Sequence, residues 1–436
     1  LVAGNDIIFN SDGNPNEVNG HQAVIHIEAG RDIIHYQNHE NSNPVYYLGD
    51  ETEAHVKAGH DLIIDSLYST NLFNVKNGSS ADVVAGNDII FKVKTLALTP
   101  SAYSMYGSSL SLRSRNFFSN AQRTLRTRDD SQLTVRANHD LIFDTPGAID
   151  ELSMIAVNAR STADVSAGHD MVLKIGVAAP NVHVDTGGKA NLTAGNDMIL
   201  STAGKDGENP LESNLYADDG TITAKVIDGT LSISNDGAVG AYADNGGSIT
   251  LEGPVIMEVG SGAVAANSGT ILFKGPVTLQ SSATGLMADG GSITLDGDAA
   301  MDTADGAVAT NGGTILFKDP VTLQSRATGL TADSGSINLE GDAAMNTADG
   351  AVATNGGTIL FNGPLTFHST DTAFRAADGG TIDATAADSD KYIEGNVVSN
   401  GGTISLDLNT AGSYLTGTTS VSDSTASLRS EERRVG

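Results

Sequence analysis

The chain of 436 residues contains no cysteine and no tryptophan, and aromatic residues make up only 5% of it. Without cysteine it can form no disulfide and no thiolate metal site. A long cysteine-free chain suits a protein that crosses oxidising compartments unfolded. The lack of tryptophan removes the ring that most often forms a sugar platform in a glycan groove. Basic residues are scarce too: 24 Lys and Arg stand against 53 Asp and Glu, a net charge of −29. That balance argues against nucleic acid and against bulk binding to anionic membrane, and it keeps an extended surface soluble. There is no run of transmembrane length and no signal-peptide pattern.

What the chain does have is repetition. The stretch "TADGAVATNGGTILF" at 303–317 recurs letter for letter at 347–361, and a relative, "TADSGSINL", lies between the copies at 331–339. The residues before each Gly/Ser-Gly-Ser/Thr corner are Asn245, Asn267, Asp289, Asn311, Asp333, Asn355, Asp378 and Asn400. They advance by a constant step, with a single step longer by one, and from Asn267 onward they alternate between Asn and Asp. A period of this size marks a solenoid, a propeller or an array.

Each unit holds three short apolar stretches. The first carries pairs such as Ile271/Phe273, Ile293/Leu295 and Ile315/Phe317, and the second carries Val277/Leu279, Ala299/Met301 and Val321/Leu323. Spacing of two is the strand period, so both members of a pair face one side. The third stretch contributes Val264, Leu286, Val308, Leu330 and Val352. Three strands in so short a unit leave too little chain for a propeller blade, and Gly, Thr and Val form helices poorly. The reading that remains is all-β: a right-handed parallel β-helix with three short strands per coil. Like residues then stack about 4.8 Å apart and fill the interior in columns. Large and small residues alternate from coil to coil, as complementary packing requires. Asn, Asp and Gly at the corner tolerate the left-handed backbone of a sharp turn. Asn amides are expected to bond from coil to coil there, and alternation with Asp keeps carboxylates from stacking on one another.

Residues 1–205 repeat a different phrase. It reads "AGNDIIF" at 3–9, "AGRDIIH" at 29–35, "AGHDLII" at 58–64, "AGNDIIF" at 85–91, "ANHDLIF" at 137–143, "AGHDMVL" at 167–173 and "AGNDMIL" at 194–200. The one step of 52 hides a further coil near "SLSLRS" at 109–114. The phrase predicts a strand, a tight turn at Ala-Gly-x-Asp, a second strand, and then a longer, variable loop. Eight coils in each half give roughly 16, or about 75–80 Å of fibre. Residues 113–136, with Arg113, Arg115, Arg123, Arg126, Arg128 and Arg136 around "NFF", read as a solvated loop or short helix beside the hidden coil. Their functional alternative is a basic patch for an acidic partner.

These dialects predict a β-helix of 26–30-residue coils over 1–205 and one of 22-residue coils over 206–415, with "STAGKDGENPLESN" as a loop or hinge between them. Residues 416–428 follow as a linker or continuation. The chain begins in mid-phrase, which is expected of a fragment of a longer protein. "RSEERRVG" at 429–436 resembles the translation of a sequencing adapter and is expected to lie outside the fold.

The Gly-Gly-Thr-Ile-x-Phe coils and the Ala-Gly-Asn-Asp-Ile-Ile phrases resemble the passenger regions of Gram-negative autotransporters. The Ala-Gly-x-Asp phrase is also similar to the haemagglutinin-type repeats of two-partner-secreted exoproteins. The resemblance is diffuse and covers most of 1–415. It implies export through the outer membrane to the bacterial surface or beyond, a translocator encoded outside these residues, and no membrane insertion by these residues themselves. It further implies adhesion, aggregation or biofilm formation through receptors or glycans on host or sister cells.

Catalytic, cofactor and metal sites are each expected to be none. The Gly-x-Asp-aliphatic piece recurs once per coil rather than every nine positions, so it reads as a structural turn and not a nonapeptide calcium repeat. Asp289, Asp333 and Asp378 are the only small support for calcium. His60, His139 and His169 hold equivalent turn positions and read as exposed polar residues; a metal would need them on adjacent coils, where His139 and His169 can fall, but Asn196 follows them and no histidine precedes them in the hidden coil. The chain is not expected to be an enzyme, because its carboxylates recur with the repeat and "ADSGS" at 332–336 is a corner rather than a nucleophile motif. The alternative function is a glycan-active β-helix enzyme, a polysaccharide lyase or hydrolase. Partner contacts are expected in the first half, on loops carrying Tyr36, Tyr46, Tyr47, Tyr68, Tyr103, Tyr106, Phe117 and Phe118.

Overall fold

A computed structural model describes the chain except for residues 12–17, 38–44, 69–71, 96–100, 122–123, 146–152, 205–208, 387–388, 411, 423–424 and 430–436. Arg123, most of the adapter-like tail and the side chain of Tyr68 therefore lie outside the described part. Among the described residues, the regular elements are β-strands apart from one 3-10 turn at Pro210–Glu212, and the pairings between named strands are parallel. No helix among the described residues is long and apolar enough to cross a membrane. The chain divides into two compact units, residues 1–205 with 209–236, and residues 206–208 with 237–436.

Each unit is a parallel β-solenoid. In unit one, nine strands from Val2–Ala3 to Thr221–Val226 stack in sequence, each bonded to its counterpart one coil away. In unit two, nine strands run likewise from Ser248–Glu252 to Thr425–Arg429. Eight turns separate nine strands in each unit, in keeping with the roughly 16 expected for the chain. Two further strands complete most coils, as in Ser80–Ala85, Asp88–Thr95 and Ala102–Met105, and in two coils of unit two they run together as Leu365–Ala377 and Lys391–Asn400.

The interior columns of unit two follow the expected register. Ile271, Ile293, Ile315, Ile337 and Ile359 are direct partners from coil to coil, and all are buried. Beside them run Phe273, Leu295, Phe317, Leu339 and Phe361, alternating in bulk as packing at crystal-like density requires.

The third strand departs from the expected register. Its inward column is Ala263, Leu286, Ala307, Leu330, Ala351 and Phe374. Its spacing alternates between one residue more and one residue fewer than the corner period. Val264, Val308 and Val352 fall on the outer face instead, opposite Met287 and Thr331. The cause lies at the corners. At Asn245, Asn267, Asn311 and Asn355, and also at Asp378, two consecutive residues take the left-handed conformation, as at Asn311 (φ 51°) and Gly312 (φ 78°), and the Gly313 N–H closes the turn on the Thr310 carbonyl at 2.8 Å. In the other Asp coils, Asp289 and Asp333 still belong to the strand, and Gly290 and Ser334 make a tighter corner. An extra residue before the third strand of the Asp coils compensates. The two deviations cancel, so the corner period stays constant while the true repeat of this strand is two coils long.

In unit one, the stretch expected to be a variable loop contains the third strand, for example Phe73–Lys76, Leu125–Arg128 and Val182–Asp185. The arginine-rich region is likewise no loop or helix beside the coil. It is the hidden coil itself and the start of the next: Ser109–Ser114, Asn116–Ser119, Leu125–Arg128 and Gln132–Ala137. Leu110, Leu112, Phe117, Leu125, Leu133 and Val135 point inward and are buried, while Arg113, Arg115, Arg126, Arg128 and Arg136 occupy outward positions between them. Tyr46 and Phe117 are core residues, not loop contacts, and Tyr103 is also buried.

Candidate functional site

The Ala-Gly-x-Asp corner of unit one is built by stacking backbone on backbone. A Cβ placed on Gly59 would lie 2.2 Å from the Gly30 carbonyl oxygen, and one on Gly86 would lie 2.1 Å from that of Gly59. Where two such corners stack directly, only glycine fits between them. The aspartates then form a ladder. The Asp61 N–H donates to Asp32 Oδ1 (3.1 Å), the Asp88 N–H to Asp61 Oδ1 (3.0 Å), and the Asp197 N–H to Asp170 Oδ1 (3.2 Å). In the hidden coil Asn116 replaces the aspartate. Its amide donates to Asp88 Oδ1 and its oxygen accepts the Asp140 N–H.

The variable residue x supplies a donor that offsets this column of carboxylates. Arg31 donates to Asp6 (2.7 Å), Asn87 to Asp61 (3.0 Å) and Asn196 to Asp170 (2.8 Å). The Arg31 hydrogen bond holds the Asp6 carboxyl below the usual range. At positions 60, 139 and 169 x is histidine. His60 Nδ1 lies 3.3 Å from Asp32 Oδ1 and 3.1 Å from Asp61 Oδ2. His139 and His169 prove to be on adjacent coils, with stacked rings 4.8 Å apart and an interplanar angle of 14°. Their Nδ1 atoms converge on one carboxylate: His139 is 3.0 Å from Asp140 Oδ2 and His169 is 3.1 Å from Asp140 Oδ1. Partial burial opposes ionisation of Asp140, but hydrogen bonds from the Asp170 N–H and the two histidines outweigh it and keep its pKa low.

A second cluster stands on the outer face of the third strand. Arg126 and Arg128 place their guanidinium carbons 5.5 and 5.6 Å from the Tyr103 ring centre, and Arg128 lies 5.5 Å from that of Tyr106. Arg128 also donates to the Tyr106 hydroxyl at 3.1 Å and pairs with Asp129. Tyr103 is the covered floor of this cluster, and Tyr106 is exposed at its rim. Of the aromatic residues expected to make contacts, Tyr36 and Tyr106 are exposed, and Tyr47 and Phe118 are half-buried.

Unit two has a shallow depression lined by Glu258, Gln280, Ser281, Asp302 and Arg326. Arg326 is tied there to Asp302 (3.7 Å) and to the Ser281 carbonyl (3.1 Å). Asp289 and Asp333 accept hydrogen bonds from the amides of Asn311 and Asn355, one coil on. The corner thus forms Asn–Asp pairs rather than a run of stacked amides.

Several buried polar residues escaped the sequence reading. A true asparagine ladder runs through Asn181, Asn214 and Asn235, bonded side chain to side chain at 3.0 and 2.9 Å. Its sequence signal, an Asn just before or after a strand in three coils, is too sparse to find by periodicity. His35 is stacked on Phe9 in the interior and bonded to the Tyr46 hydroxyl (2.7 Å), and burial lowers its pKa to about 3. Lys391 sits in the inward column opposite Leu365, with its ammonium donating to the Ala386 and Ser389 carbonyls and the Ser389 hydroxyl. Burial lowers its pKa.

Comparison with protein-family models, with curated proteins and with solved structures finds no match to this chain.

Proposed function

We propose that this chain is the exported β-solenoid part of a bacterial surface adhesin, and that unit one makes the contact. The resemblance to autotransporter passengers and haemagglutinin-type exoproteins motivates the class. One observation carries the location: on a chain of net charge −29, Arg126 and Arg128 are held over Tyr103 beside an exposed Tyr106. Planar guanidinium groups fixed by ring stacking suit a carboxylate, and an exposed ring suits the C–H face of a sugar. The ligand class is therefore an acidic glycan on a host or sister cell. In unit two the outward cations Lys274 and Lys318 pair with Glu252 and Asp296, as Arg128 does with Asp129, but it is the aromatic floor of Tyr103 that sets the unit-one cluster apart.

The test is adherence of cells displaying the whole chain, with Arg126→Glu/Arg128→Glu compared to Lys274→Glu/Lys318→Glu. Adherence should fall with the first pair and survive the second. Equal adherence of both variants would refute the assignment. Release of unsaturated or reducing sugar ends from an acidic polysaccharide, abolished by Asp302→Asn, would instead favour the glycan-active enzyme.

A further inference from the structure

We infer that the corner formed by His139, Asp140 and His169 binds a divalent transition metal of the zinc class. Two imidazoles from neighbouring coils present the same atom, Nδ1, to opposite oxygens of one carboxylate. A second carboxylate oxygen, Asp170 Oδ2, lies 3.3 Å from His169 Nδ1. The three principal ligand atoms lie within 4.8 Å of one another.

The spacing suits the ion. Zinc binds imidazole nitrogen at about 2.0–2.1 Å and carboxylate oxygen at about 2.0–2.2 Å, so tetrahedral donors sit about 3.3–3.4 Å apart. The nitrogen–oxygen separations here are 3.0, 3.1 and 3.3 Å, so small side-chain rotations admit the metal. A metal at Nδ1 takes the neutral imidazole with its other nitrogen protonated, so it would compete with the Nδ1 contacts to Asp140. The ligand set of two imidazoles and a carboxylate favours zinc, copper or nickel over magnesium or calcium. His139 and His169 are about half-exposed, which leaves an open coordination position towards solvent.

The other histidines mark what is special about this corner. His60 meets Asp32 and Asp61 alone, and Arg31 already pairs with Asp32 at 3.1 Å. His26 and His55 are also register partners, but they turn to different carboxylates, Glu28 and Glu53, and Lys57 takes Glu28. Only at 139 and 169 do two imidazoles share one acid among the described residues.

The experiment is titration of the full chain, carrying no polyhistidine tag, with zinc chloride in a calorimeter at neutral pH. The substitutions are His139→Asn and His169→Asn, because Asn already fills this position at Asn87 and Asn196 and keeps the donor to the ladder. One zinc per chain should bind, and each substitution should weaken it roughly tenfold or more while the unmodified chain and the variants melt alike without metal. His60→Asn should leave binding unchanged. No zinc uptake, or uptake indifferent to both substitutions, overturns the site. If a variant misfolds, broadening of imidazole resonances by substoichiometric copper in the unmodified chain decides: loss confined to His139 and His169 supports the site, and even loss across all exposed histidines defeats it.

Discussion

The two units solve one problem with different corners. Both fill the interior with columns of mainly apolar residues stacked coil on coil and so share an interior logic. Unit one stacks its Ala-Gly-x-Asp corners so closely that glycine is mandatory where one lies on another, and it threads a ladder of aspartates through them, with Asn, Arg or His as the compensating donor. Unit two alternates turns of two left-handed residues with tighter corners of one, and pairs Asn with Asp across single coil steps. A ladder that accepts any donor leaves x free to vary, so unit one acquires chemistry there. A strict pair leaves nothing to vary, so unit two remains uniform.

The shared interior is tested by charge. Ile315→Asp and Val135→Asp each bury an unpaired carboxylate in a full column. Each should cost roughly 5 kcal/mol and abolish the thermal transition of its unit. Leu316→Asp, one residue on and facing outward, should cost less than about 1 kcal/mol. Similar melting of the inward and outward variants by circular dichroism would show the columns to be misassigned.

This part of the structure was legible because an inward position repeats in kind at every coil. Ile271 to Ile359 could be read directly from spacing. The slip of the third strand could not, because an added residue before Leu286 and a shorter corner after it cancel within the same coil. The arginines of 113–136 hid a regular coil because outward positions are free to carry any polar residue. The adjacency of His139 and His169 could be read from the step between their phrases, but their convergence on Asp140 could not, because the repeat fixes a residue's place in the coil and not the direction of its side chain.

Acidity should separate the units next. His35 is buried neutral with a pKa near 3, against about 6.5 in the unfolded chain. Between those values the unfolded state binds the extra proton, so stability is intact above about pH 6.5 and declines as pH falls towards 3. The loss attributable to this group is on the order of 4 kcal/mol. His35→Phe, matching Phe9 and Phe91 in the same column, should flatten that part of the unit-one profile and leave unit two unchanged. Parallel pH profiles for the parent and the variant would contradict a neutral buried His35.

Both units press a glycine against the backbone of the coil before, Gly86 on Gly59 and Gly313 on Ala288, but the corners of unit two add an open position such as Gly312. Gly86→Ala in unit one drives a methyl into the Gly59 carbonyl and should cost about 2–3 kcal/mol. Gly312→Ala in unit two meets nothing within 4 Å and loses only through its left-handed backbone, about 1–2 kcal/mol. A larger loss at Gly312 than at Gly86, by chemical denaturation, would reverse the account of which position is close-packed.

The smallest effect tests the electrostatics of the corner. Asn311→Asp replaces the amide that donates to Asp289 Oδ1 with a second carboxylate facing it. The backbone tolerates the change, because Asp, like Asn, enters the left-handed region readily, and Asp378 does so at a related corner with φ 50°. What remains is one lost hydrogen bond and one like-charge contact at an exposed site, together about 1 kcal/mol in dilute buffer. High salt should recover the Coulomb part, since exposed charges are screened within about 10 Å at 0.1 M. The matching change in unit one, Asn87→Asp, faces Asp61 at a half-buried corner where screening is weaker. It should cost more and recover less with salt. If the two variants lose the same stability and respond equally to sodium chloride, the ladder of unit one is no more enclosed than the pairs of unit two, and the freedom of x must have another origin.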